Sequence, residues 1–92
     1  MNTYILNSNY VLQDIGKETI LLPCGIDNEV DLTKMIVLNE TSSLICKYLK
    51  TAHSLKDIID LIIEEYDVSN QDITDIEKFI DGLVDRGIII KN

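Results

Sequence analysis

The stretch from Lys34 to Leu49 constrains the fold most, because a short apolar run passes there directly into a helical pattern. Met35, Ile36, Val37 and Leu38 are consecutive, apolar and partly β-branched, which predicts a strand. Asn39 and Glu40 break the run. Thr41 or Ser42 then qualifies as N-cap, since a hydroxyl there can accept an orphan N–H of the first turn. Leu44, Ile45, Tyr48 and Leu49 come next at helical spacing, with Cys46 beside them. Residues before this junction read as β-structure, and residues after it read as helix.

Upstream, Tyr10–Ile15 and Glu18–Leu22 are predicted strands, with Gly16-Lys17 as the turn and Pro23 as the stop. Residues 1–9 are polar apart from Tyr4, Ile5 and Leu6, and fit either a flexible arm or an edge strand. Cys24 to Thr33 is a polar connection. Its alternating Asp27, Glu29 and Asp31 lack the glycine and closing glutamate of a calcium loop, so a solvated loop is expected.

Downstream, Ser54 is the next predicted N-cap, with Asp57 in the place of the capping-box acid. Leu55, Ile58, Ile59, Ile62 and Tyr66 share one face of the second helix; Leu61 and Ile63 widen it, which predicts a well-buried helix. Ser69 or Asn70 caps a third helix whose apolar face is centred on Ile73, Ile76, Ile80 and Val84. Gly87 is expected at its C′ position in left-handed conformation. Ile88, Ile89 and Ile90 must pack or pair as a short extended tail. The fold class is therefore α+β and winged-helix-like: an N-terminal three-stranded antiparallel sheet, then three helices.

A chain of 92 residues reads as a single domain, and 46% hydrophobic residues suffice for a core. Sixteen acidic against eight basic residues give a net charge of −8, which argues against a phosphate-backbone binder and permits a basic partner. Cys24 and Cys46 have no metal-ligand spacing; free thiols are expected, and a cytoplasmic location with them. No secretory signal or membrane-span pattern is present in the sequence. The single histidine, His53, adjoins Ser54, but adjacent side chains at a helix entry diverge, so this is no nucleophile–base pair. An enzyme is not expected, nor is a cofactor or a metal. Ser54-Leu55 opening a helix also suggests an acyl carrier serine; His53 stands where those proteins usually have Asp, and the β-rich first third does not fit them.

Taken together, Val37-Leu38-Asn39-Glu40-Thr41, Ser54-Leu55-Lys56-Asp57-Ile58, the helix end at Tyr66, and Leu83-Val84-Asp85-Arg86-Gly87-Ile88-Ile89 resemble the PqqD family. These are the precursor-peptide recognition domains of ribosomal peptide biosynthesis. The likeness runs from about Tyr10 to Ile90. Where the family often has a glycine before its second helix, this chain has Thr51-Ala52-His53. The resemblance implies binding of a precursor's leader segment by strand addition beside the third strand, with packing against the third helix. It further implies presentation of the core to a maturase such as a radical-SAM enzyme or a lasso-type leader protease. The strand it points to is Met35, Ile36, Val37 and Leu38, with Lys34 beside it; on the third helix, helical spacing makes Phe79, Leu83 and Arg86 a ridge at the border of core and solvent. No nucleic acid and no membrane is expected as partner. The rival reading is a winged-helix DNA-binding regulator, against which the acidic balance and the lack of a basic helix face both count.

Overall fold

The computed structural model describes residues 2–24 and 34–92. The alternating Asp27, Glu29 and Asp31 lie outside them. In chain order the elements are β1 (Tyr4–Leu6), β2 (Tyr10–Ile15), β3 (Glu18–Pro23), β4 (Ile36–Leu38), α1 (Glu40–Tyr48), α2 (Leu55–Glu65), α3 (Asn70–Asp85) and β5 (Ile89–Lys91). The chain divides into two compact units: Ser8–Lys47, and the residues up to Asn7 together with Tyr48–Asn92.

The first unit holds a three-stranded antiparallel sheet in the order β2-β3-β4, as expected. The two strands of the hairpin are joined by Gly16-Lys17, and Gly16 takes the positive φ of 61° that suits a tight turn. Leu21, on the central strand, is fully buried, and Ile20, Leu22, Leu38, Ile45 and Cys46 are buried with it. Each such side chain removed from water contributes about 1.5–3 kcal/mol before ordering entropy is counted.

In the second unit the caps agree with the sequence. Ser54 and Ser69 each accept from the N3 amide of their helix, and Asp57 and Asp72 complete both capping boxes. At the far end of α3, Gly87 has φ 74°. Its N–H donates to Val84 O at 3.0 Å and that of Ile88 to Leu83 O at 2.9 Å, a Schellman stop. The chain then enters β5, which pairs antiparallel with β1 in a second, two-stranded sheet. The isoleucine tail does pair, and its partner is the segment the sequence left between arm and edge strand. Ile5 lies opposite Ile90, and Leu6 opposite Ile89.

Two helical expectations need correction. On α2 only Ile58 and Ile62 are buried, whereas Ile63 is 49% exposed. Ile63 is offset from Ile62 by about 100° around the helix, which turns it away from the stripe. On α3 the buried residues are Ile76, Ile80 and Leu83, so the stripe is rotated toward Leu83. Ile73 and Val84 are only half-buried at its other border.

Candidate functional site

The junction of β4 and α1 is tighter than the sequence suggests. The strand is Ile36–Leu38; Met35 precedes it, 44% exposed, and Lys34 is exposed. The helix starts at Glu40 and is capped by Asn39, not by Thr41 or Ser42. Asn39 Oδ1 accepts from Ser42 N at 2.8 Å and from Ser42 Oγ at 2.7 Å, while Asn39 O accepts from Ser43 N at 2.8 Å. One residue thus ends the strand and caps the helix. Asn is among the best caps, because its short side chain reaches the N3 amide without lengthening the turn.

Among the described residues β4 pairs only with β3, so it is an edge of the sheet. Its register sets Ile36 against Leu21, Val37 against Ile20 and Leu38 against Thr19. The main-chain groups of an antiparallel strand alternate between its two neighbours. On β3 the even-numbered residues bond toward β2: the hairpin closes on the pair Ile15 and Glu18, and further along Cys24 N donates to Asn9 O at 2.6 Å. Thr19 and Leu21 therefore bond toward Leu38 and Ile36. The N–H and C=O of Val37 are left facing the open side. Val37 is also 53% exposed, while Leu38 beside it is buried. The edge is apolar, uncharged and unpaired at its central residue.

The predicted α3 residues divide three ways. Phe79 is half-buried, Arg86 is exposed at the C-cap, and Leu83 is 5% exposed and part of the core. The sequence placed Leu83 on a border ridge; the structure puts it one step inward.

The other candidate chemistry is occupied. Ser54 is buried, and its Oγ accepts from Asp57 N at 3.2 Å as a cap, so it is no exposed carrier nucleophile. His53 stacks on Tyr48 with ring centroids 3.7 Å apart, lies 2.8 Å from Thr51 Oγ1, and exchanges main-chain bonds with Tyr4. Burial pushes the Cys46 thiol up to about 11, which keeps it protonated and unreactive at neutral pH. No cluster of His, Cys, Asp and Glu suited to a metal ion occurs among the described residues. No helix among them is long and apolar enough to cross a membrane.

The family model described as coenzyme PQQ synthesis protein D (PqqD) matches residues 9–89. The chain belongs to the PqqD family. No curated protein matches it. Two solved structures are similar to this PqqD-family chain. One is TbiB1 in complex with the TbiA(beta) leader peptide, with 21% identity and a TM-score of 0.71 over 94% of each chain. The other is lasso peptide synthetase B1 complexed with the leader peptide, with 25% identity, a TM-score of 0.69, and coverage of 95% of this chain and 96% of that one. The first likeness is one of fold.

Proposed function

We propose that this PqqD-family chain is a recognition domain, not an enzyme, that binds the leader segment of a ribosomally synthesised precursor peptide. The leader adds as a strand to β4, and the bound precursor is presented to a modifying or processing enzyme, a radical-SAM enzyme or a lasso-type leader protease. The observation that carries the reading is the Val37 edge: outward N–H and C=O groups on an uncharged strand, in a chain similar to two solved structures that hold leader peptides. Strand pairing contributes about 0.5–1.5 kcal/mol net per hydrogen bond and little selectivity. Selectivity comes from accessible side chains: Met35, Ile36 and Val37 on the strand, and Phe79 on α3, while Leu38 and Leu83 lie in the core beneath them. Lys34 and Arg86, both exposed, pair with leader carboxylates.

The test is a titration of isotopically labelled protein with the synthetic leader of any short precursor reading frame found beside its gene. Amide shifts should concentrate on β4 and α3. Shifts confined to the β2–β3 hairpin would refute strand addition at β4. Salt-sensitive binding of duplex DNA in a gel shift would favour the regulator reading instead.

A further inference from the structure

A chain of polar side chains links the β2–β3 hairpin to α1. Thr19 Oγ1 donates to Asp14 Oδ1 at 2.6 Å, and Ser43 Oγ donates to Thr19 Oγ1 at 2.9 Å. Thr19 and Ser43 are buried, at 7% and 9% exposure. Lys47 Nζ stands 3.3 Å from Asp14 Oδ1 at the exposed end. The links join β2, β3 and α1, three elements of one unit. Thr19 also faces Leu38 across the β3–β4 ladder.

We infer that Asp14, Thr19 and Ser43 are positioning residues that fix the register of β4, and through it which residue the edge presents to a peptide. This rests on the recognition reading for its function, but not for its geometry. Ser43 is tied rigidly to β4, because Asn39 directly succeeds Leu38 and accepts the Ser43 amide. A slip of β4 by one residue would move it about 3.3 Å along β3 and turn every side chain to the opposite face. It would also carry Ser43 away from Thr19, leaving the buried Ser43 hydroxyl without its acceptor, which is costly. A strand of three residues has little ladder of its own to resist such a slip. The polar chain supplies that resistance and keeps Val37, not Ile36 or Leu38, on the open side.

Thr19→Val keeps shape and β-branching and removes the hydroxyl. Expected are about tenfold faster amide exchange at Ile36 and Leu38 relative to Gln13 and Ile15, and about tenfold weaker binding of the synthetic leader. Thr19→Ser should restore both, which a purely space-filling role would not do. Ser43→Ala removes the other end of the chain and should repeat the pattern if Thr19→Val folds poorly. Ser54→Ala, a cap in the other unit, should leave leader affinity unchanged. Equal acceleration of exchange in β2 and β4, or wild-type exchange in both variants, overturns the inference. If the wild-type protein takes up no leader while β4 exchange still responds to Thr19→Val, the recognition reading fails and the register inference stands.

Discussion

The two edges of the three-stranded sheet are built differently. β2 is six residues long and carries Gln13 and Asp14, with Asp14 drawn into the polar chain and held near Lys47. β4 is three residues long, reads Ile-Val-Leu, and carries no charge. Charged side chains on an edge discourage pairing with another chain, and an uncharged apolar edge invites it. A sheet protected on one side and open on the other has a preferred direction of growth. The short length of β4 limits how much unprotected edge the protein carries.

The largest expected effect separates the two faces of β4. Leu38→Ala removes a buried side chain and should cost about 2–5 kcal/mol of stability, whereas Val37→Ala, at an exposed position, should cost under about 1 kcal/mol by denaturant unfolding. Next comes the part played by α3. Phe79→Ala should weaken leader binding by about 1–3 kcal/mol with modest loss of stability if the ring touches peptide. A loss of about 3–5 kcal/mol in folding, with affinity intact in the folded fraction, would return Phe79 to the core.

The edges themselves are compared with proline. Val37→Pro deletes the outward N–H and leaves the ladder to β3 in place, so leader affinity should fall by about 1–3 kcal/mol. Leu12→Pro deletes an outward N–H on β2 and should leave the affinity of the folded protein unchanged. Equal losses from both would abolish the distinction between the edges.

Alkali offers a probe of another kind. Cys46 sits in α1, the helix joined to β4 through Asn39, and its pKa is raised from 9.0 to about 11. The folded state holds this proton more tightly than the unfolded state does. Stability from the buried thiol is therefore complete below about pH 9 and lost as pH rises through about 11, by about 2–3 kcal/mol. Thermal unfolding of wild type should fall more steeply over that window than that of Cys46→Ala. The smallest effect is expected from Val37→Lys, which gives β4 a charged side chain where β2 has Asp14. Folding should change by less than about 0.5 kcal/mol, while light scattering at high concentration shows less self-association.

Much of this architecture is legible in the sequence because it is set locally. The hairpin around Gly16, the caps at Ser54 and Ser69, and the stop at Gly87 each depend on residues within about one turn of one another. The features that escaped depend on distance or on competition between neighbours. Asn39 precedes two hydroxyl residues and outcompetes both, a signal that was present in its own type and position. The β1–β5 pairing joins opposite ends of the sequence, beyond the reach of any periodicity. The bond between Ser43 and Thr19 exists only once β3 and β4 are in register, so nothing in either segment announces it. At the candidate site the apolar strand was visible, and so was its place last in the sheet. The buried status of Leu83 was not, because Leu83 and Val84 differ by only one step around the helix.

The pairing of β1 with β5 also sets an order of events during synthesis. Thr3 exchanges main-chain bonds with Asn92, and Asn7 N donates to Ile88 O. At about 5–20 residues per second, Thr3 and Asn7 wait some seconds on the ribosome for partners made far downstream. Every element of the three-stranded sheet is translated well before then. In a nascent chain the uncharged β4 edge is thus ready while the two-stranded sheet of the other unit is still unfinished.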